Sequence, residues 1–224
     1  MLFRSGWFAR DAATFARVSE VMLGEPIPTG LPTRLVVAMD AFGFADAETT
    51  AALQPVVRAL SALVKDVRED LLAPPGLSVW ARAQRTLQPW EGWLTFKAWI
   101  ERDNPRLQFT VARGLAAAAA IPESERQWAA LMRAEARARL AWLLPPGTIL
   151  CLPTTPFPAP RRGLPLATLD PLRARIGCLT SHGGLTGVPQ VSVPGATVDG
   201  LPVGLSIVGA RGSDAALVAL ARAM

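Results

Sequence analysis

The chain's only histidine, His182, follows closely after Cys178 and Ser181, two side chains that can act as nucleophiles. A thiol or hydroxyl attacks a carbonyl group efficiently when a neighbouring base takes its proton, and a histidine often fills that role. If the segment were helical, Cys178 and His182 would share a face. Gly183 and Gly184 come next, however, and glycines disfavour a helix at this point. We therefore expect His182 at a strand entry or on the rim of a pocket, rather than in a catalytic pair.

Lysine is the other side chain that could serve as a base, and the chain contains only Lys65 and Lys97. Lys65 lies in a run of charged residues, which is typical of a solvated segment. Lys97 lies among aromatic residues on a predicted helix, where its stem would cover apolar surface while the ammonium group stays in water. Every serine of the chain is isolated in the sequence. The residues alone therefore nominate no catalytic group in this chain.

Of the 224 residues, 50% are hydrophobic and 18% are charged, a composition typical of a globular protein. The net charge of +5 comes mostly from single arginines scattered among alanines and leucines, which indicates solvated helix faces rather than a nucleic-acid site. Cys151 and Cys178 lack the CxxC spacing and are expected to be buried, reduced and inert. With no apolar run of about 20 residues and no secretory pattern, the sequence predicts a cytoplasmic protein that binds neither membrane nor nucleic acid.

The first half of the chain alternates helical and extended patterns. Asp11 is suited to cap a helix that stops at Gly24, and residues 34–39 form a short apolar run typical of a covered strand. Asp46 would begin a helix to about Val64, and residues 65–69 form either a polar edge strand or the helix exit. This order predicts an α/β fold, with a mixed or mostly parallel sheet and helices on both faces.

The second half continues the pattern. Residues 77–101 carry an aromatic stripe at helical spacing, which usually belongs to a core or a packed interface. A helix is predicted from Pro122 to about Leu144 and a strand over residues 148–152. Residues 161–177 are predicted to be a long connection with a short helix near Leu172–Ile176. The C-terminal tail is predicted to form two buried strands, a turn and a capped helix.

Four segments, in this order, resemble the amidase signature family. Their sequences are Gly6-Trp7-Phe8-Ala9-Arg10-Asp11, Gln84 to Trp93 (QRTLQPWEGW), Ile149 to Pro156 (ILCLPTTP), and the tail that contains GVPQVSVP and GLPVGLSIVG. The second segment is closest in appearance to the indoleacetamide-hydrolase-like branch of the family. The resemblance covers essentially the whole chain but only about the second half of a complete enzyme. It implies that residues 1–224 are the C-terminal part of a single amidase domain, an incomplete amidase signature fold.

The resemblance implies hydrolysis of a carboxamide to a carboxylic acid and ammonia through an acyl-serine intermediate, without a metal or organic cofactor. In the family the base is a lysine that acts through a second serine, and this chain has no such Ser-Ser-Lys segment. We therefore expect no catalytic residue here and no activity of the chain alone. The family's substrate cleft implies Thr154, Thr155, Cys178 and His182 as substrate-binding positions, with plain loop structure as the equal alternative.

Several possibilities remain open from the sequence. Residues 1–5 fit nothing in the family and are candidates for a non-native start of a truncated sequence. The complete enzyme would bind a small-molecule amide and would require the missing N-terminal half or a partner chain. The chain could instead be a non-catalytic binding or scaffold module derived from an amidase, or half of a two-chain enzyme. A self-sufficient thiol or serine enzyme that depends on His182 is the third alternative.

Overall fold

The computed structural model describes residues 6–224, so residues 1–5 lie outside the described part of the chain. The described residues form eight helices and five strands. The helices are α1 (Ala12–Leu23), α2 (Met39–Phe44), α3 (Ala47–Ser61), α4 (Leu77–Asp103), α5 (Phe109–Ala119), α6 (Glu123–Leu143), α7 (Leu166–Thr186) and α8 (Asp214–Ala223). The strands are β1 (Arg34–Ala38), β2 (Asp66–Asp70), β3 (Thr148–Pro153), β4 (Gln190–Val198) and β5 (Leu201–Gly209).

The chain divides into two compact units, each of which is described by itself. The first unit, called the sheet unit, contains the residues up to Leu72, Ala141–Gly163 and the residues from Val188 onward. The second, called the helical unit, contains Ala73–Leu140 and Leu164–Gly187. All five strands belong to the sheet unit, whereas the helical unit contains α4, α5, α7 and most of α6.

The sheet has the strand order β2-β1-β3-β5-β4. Strand β1 pairs in parallel with β2 and β3, while β5 pairs antiparallel with β3 and β4. The prediction of an α/β fold with a mixed sheet is therefore confirmed. Residues 65–69, for which two readings were open, fall mainly on strand β2 at one edge of the sheet. Strand β3 lies in the middle, and all six of its residues are buried.

Strands β4 and β5 form a hairpin whose two faces differ in chemistry. Side chains alternate between the faces of a strand, and Val191, Val193, Leu205 and Ile207 all belong to the main apolar core or pack against it. The hairpin turns through Asp199 and Gly200, which both have positive φ angles of 51° and 75°. This is the left-handed geometry that two-residue hairpin turns require. The prediction of two buried strands is wrong for β4, because most of this edge strand is partly or fully exposed.

Helix α1 shows how local signals position the elements of the sheet unit. The Asp11 carboxylate accepts a hydrogen bond of 2.7 Å from the Thr14 amide, and Gly24 ends the helix in a left-handed conformation. Its inner face packs on α8 through a small apolar cluster that includes Ala16 and Val218. The predicted caps of this helix are therefore both confirmed.

In the helical unit, α4 packs against α5 and α7 and hydrogen-bonds to α6. The fully buried Trp80 donates a 2.7 Å hydrogen bond from its indole nitrogen to Glu135 of α6. The aromatic stripe on the second half of α4 does not form the expected core, since Phe96 and Trp99 are exposed. The prediction of solvated arginines is also only partly right, because Arg126 lies over the ring of Trp90 at 3.9 Å.

Helix α7 corrects the prediction of a long connection over residues 161–177. It runs unbroken from Leu166 through Gly183 and Gly184 to Thr186, and Gly187 ends it in a left-handed conformation. A Cβ atom at Gly184 would lie only 2.2–2.7 Å from the amide group of Gln84 on α4. The absence of a side chain at this position therefore leaves room for the Gln84 amide, and the helix continues through Gly184 despite the low helix propensity of glycine.

Within residues 6–224, no helix is both long enough and apolar enough to cross a membrane.

The buried thiol of Cys151 generates a prediction about alkaline stability. Burial raises the pKa of this thiol from 9.0 to about 12, so the folded state keeps a proton that the unfolded chain releases. The corresponding stabilisation is complete below about pH 9 and is lost as the pH rises toward about 12. We expect the free energy of unfolding of the unchanged chain to fall more steeply with pH over this range than that of Cys151→Ala. The difference between the two slopes should reach up to about 1.4 kcal/mol per pH unit.

Denaturant unfolding followed by tryptophan fluorescence measures this difference, and the absence of tyrosine from the chain limits other titrations in the same range. Cys178→Ala is the matched control, because the Cys178 thiol is less deeply buried and Arg85 and Arg175 oppose the rise of its pKa. Equal slopes for the unchanged chain and for Cys151→Ala would contradict the prediction.

Candidate functional site

A network of polar side chains lies at the end of β3 in the sheet unit. The Thr154 hydroxyl lies 2.7 Å from the Ser192 hydroxyl and 2.8 Å from the Ser206 hydroxyl. Gln190 donates a 2.6 Å hydrogen bond from its amide nitrogen to the same Ser206 oxygen. These four side chains, called the hydroxyl network, come from β4, β5 and the residue that follows β3.

The pairing of the strands explains why the network forms. Ser192 and Ser206 lie directly opposite each other in the β4–β5 ladder, and Gln190 lies two residues before Ser192, so all three share a sheet face. The backbone amide of Thr154 donates a 2.8 Å hydrogen bond to the Gly204 carbonyl. A Cβ atom at Gly204 would lie 2.8 Å from the Ser192 oxygen and 3.1 Å from the Thr154 hydroxyl oxygen. The network therefore depends on glycine at this position.

Sequence reasoning singled out Thr154 but missed Gln190, Ser192 and Ser206. A signal for the first two was present, because polar residues alternate with valines in the run Gln190-Val191-Ser192-Val193. Ser206 could have been noticed as a polar residue in an otherwise apolar strand. It is fully buried, and a buried hydroxyl needs hydrogen-bond partners.

Thr155, the second predicted position of the Pro-Thr loop, has a different environment. Its hydroxyl donates a 2.8 Å hydrogen bond to the Phe157 carbonyl two residues later. This bond is local to the loop, whereas the hydrogen bonds of the hydroxyl network join Thr154, Ser192, Ser206 and Gln190. A role of Thr155 in substrate binding stays a prediction.

Cys178 and His182 lie in the helical unit, one turn apart on the same face of α7. The expectation of a strand entry for His182 is wrong, since the residue lies in a continuous helix with its side chain fully buried. A place for Cys178 and His182 at the border of a substrate cleft stays a prediction. Burial raises the pKa of the Cys178 thiol, and the positive charges of Arg85 and Arg175 only oppose this rise. The thiol is therefore protonated at neutral pH, which is the unreactive form.

The remaining candidate bases are surface groups. Lys65 is exposed, and Lys97 is an exposed member of a 3.8 Å ion pair with Glu101 one turn along α4. Among the described residues, no group of three or more His, Cys, Asp or Glu side chains is placed to hold a metal ion. The hydroxyl network itself contains three hydroxyl groups and one amide, none of which is a base at neutral pH. Its chemistry is hydrogen bonding to a ligand rather than activation of a nucleophile.

The chain is similar in sequence to an amidase. The chain is 31% identical over 239 aligned positions to Amidase 1 of Oryza sativa subsp. japonica, and the match covers 93% of this chain and 54% of the rice protein. A solved structure described as an amidase superimposes with a TM-score of 0.74 at 28% identity, over 95% of this chain and 50% of the other.

This chain is a relative of the amidase signature enzymes. It spans about half the length of the curated relatives it matches. The chain is also similar to a Pisum sativum protein named translocon at the outer membrane of chloroplasts 64. The two are 24% identical, and the match covers 93% of this chain and 40% of the pea protein. No family model matches the chain. Closeness to the indoleacetamide-hydrolase-like branch of the amidase signature family stays a prediction.

The hydroxyl network can be tested through its central residue, Thr154. Thr154→Val keeps the shape of the side chain but removes the hydroxyl that links Ser192 to the buried Ser206. We expect the free energy of unfolding to fall by about 1–3 kcal/mol, the cost of removing a partner from a buried polar group. Denaturant unfolding of both proteins measures it.

Thr197→Val is the matched control, because Thr197 is exposed on β4 of the same hairpin and a surface change of this kind costs at most about 0.5 kcal/mol. Equal losses for Thr154→Val and Thr197→Val would show that the network does not stabilise the hairpin.

Proposed function

We propose that residues 1–224 form the C-terminal part of a single amidase domain, which hydrolyses a carboxamide to a carboxylic acid and ammonia. The observation that carries this proposal is the relationship to rice Amidase 1, which extends over 93% of this chain but only about half of the relative. The nucleophilic serine, the second serine and the lysine base would come from the N-terminal half of the enzyme or from a partner chain.

The chemistry requires residues that the described part of this chain does not assemble. In the proposed reaction a serine hydroxyl attacks the amide carbon, the C–N bond breaks, and the serine proton reaches the leaving nitrogen through the second serine and the lysine. Water then hydrolyses the acyl-serine ester and releases the acid. Both lysines here are exposed and the buried thiols are protonated, so this chain alone is inactive in the proposal.

This chain would instead contribute substrate-binding groups. The hydroxyl network presents donors and acceptors that suit a carboxamide, which has an N–H donor and a carbonyl acceptor. Ser192 is exposed and is the member of the network most open to a ligand. Thr154, Thr155, Cys178 and His182 would border the cleft of the complete enzyme. The two free cysteines suit a reducing compartment, in keeping with a cytoplasmic enzyme.

A non-catalytic binding or scaffold module is the second candidate function. The relative from Pisum sativum supports it, because that protein is named as a component of a translocon and matches nearly the same share of this chain as the rice enzyme does. A module of this kind would keep the fold of the amidase half and bind another protein without turning over an amide.

Ammonia release distinguishes these proposals. We expect the purified 224-residue chain to release no ammonia from phenylacetamide or indole-3-acetamide above the blank. A chimera that places the unmatched part of rice Amidase 1 before this chain should hydrolyse at least one of the two amides, because it restores the missing serines and lysine. A second chimera, with Ala-Ala in place of the serine pair, is the matched inactive control.

The outcomes separate cleanly when the unfolding of each chimera is also measured. Turnover by the chain alone, abolished by changing His182, would overturn the proposal in favour of a self-sufficient enzyme. A chimera that unfolds cooperatively but hydrolyses neither amide would favour the non-catalytic module.

A further inference from the structure

A groove between α4 and α7, inside the helical unit, has no role in the proposed amide chemistry. It encloses about 350 Å³, which is within the range of small-molecule sites. Residues of both helices line it, among them Gln84 and Arg85 of α4 and Asp170, Arg173 and Ser181 of α7. The groove thus brings charged and polar groups of two helices to one concave surface.

Two residues that line this groove each have a buried polar atom without a hydrogen-bond partner in the described part of the chain. Ser181 is only 4% exposed, and its hydroxyl oxygen has no partner among the described residues. The side-chain carbonyl oxygen of Gln84 is likewise buried and unpaired within residues 6–224, although the amide nitrogen of Gln84 donates to Gln88. Unpaired buried polar atoms cost free energy, and a cost of this kind is relieved when a ligand supplies the missing partner.

The charge of the groove favours an anion. Arg85 has no ion-pair or hydrogen-bond partner among the described residues, and its guanidinium lies against α7, where a Cβ atom at Gly177 would be 3.8 Å away. Arg173 is 3.4 Å from the Asp170 carboxylate, so these two charges offset each other. The net charge that remains to attract a ligand is therefore the positive charge of Arg85.

We propose that this groove binds a small molecule that carries a carboxylate and an N–H group. The carboxylate would accept hydrogen bonds from the Arg85 guanidinium and the Ser181 hydroxyl, because arginine matches the planar geometry of a carboxylate. The N–H group would donate to the unpaired oxygen of Gln84. A neutral amide lacks the charge that Arg85 requires, so this groove selects a different chemical class from the amide that the proposed enzyme hydrolyses.

N-acetylglycine is a suitable probe, because it has one carboxylate and one amide N–H in a small molecule. We expect isothermal titration of the 224-residue chain with N-acetylglycine near neutral pH to show saturable binding. N-acetylglycinamide, which is the same molecule without the negative charge, should bind at least about tenfold more weakly, as expected for the loss of a charge-assisted contact. Acetate, which has no N–H group, should also bind more weakly than N-acetylglycine.

Two variants test the residues. Arg85→Gln should weaken N-acetylglycine binding by about tenfold or more, whereas Arg162→Gln, the same change at an exposed loop position, should leave it unchanged. Ser181→Ala should weaken binding without lowering the thermal midpoint, because the hydroxyl has no hydrogen-bond partner among residues 6–224. A purely structural role of Ser181 would lower the midpoint instead.

Equal binding of the two N-acetyl compounds, no binding of either, or normal binding by both Arg85→Gln and Ser181→Ala would each overturn the proposal. The titration requires no amide turnover. A failure of this inference is therefore distinguishable from a failure of the proposed amidase function.

Discussion

Strand β3 has no exposed residue, so both of its edges and both of its faces must be covered. Parallel pairing with β1 covers one edge and antiparallel pairing with β5 covers the other. On one face, Ile149 and Cys151 enter the main apolar core with Leu205 and Ile207. Because a buried strand must satisfy every backbone hydrogen bond through its neighbours, the order of the sheet and the position of the β4–β5 hairpin depend on this strand.

The hydroxyl network is a consequence of the same arrangement. Thr154 follows the last residue of β3, at the point where the backbone leaves the sheet and still bonds to Gly204 of β5. The alternation that sends Val191 and Val193 toward the core sends Gln190 and Ser192 to the opposite face. A hairpin with one apolar face and one polar face is therefore fixed on β3. Its polar side chains are held by hydrogen bonds to one another and to Thr154, although none of them is a base.

The elements that could be predicted from the sequence are those with signals inside the element itself. Helix α1 carries its own N-cap and terminal glycine, and β3 is an apolar run between a Pro-Gly turn and a proline-rich exit. The short helix α2 was missed because its residues continue the apolar run of β1. The polar partners of Thr154 were missed because they are brought to it by strand pairing, which joins residues far apart in the sequence. For the same reason His182 could be recognised as the only histidine while its burial could not be predicted.

Helix α7 is the clearest case in which long-range packing overrides a local signal. Glycine is a poor helix former because it gains backbone freedom when the chain unfolds, and Gly183-Gly184 therefore argued for a break. In the folded chain the missing side chain at Gly184 leaves space for Gln84, so α4 and α7 approach closely along this stretch. Ser181 lies three residues before Gly184 on the same helix, and its buried hydroxyl has no partner among the described residues. Gly184 thus disfavours a helix in the sequence, yet in the fold it leaves room for Gln84, one of the residues that line the groove. The packing of α4 on α7 places Ser181, Gln84 and Arg85 on one concave surface, where the Ser181 hydroxyl and the Gln84 side-chain oxygen have no hydrogen-bond partner within residues 6–224.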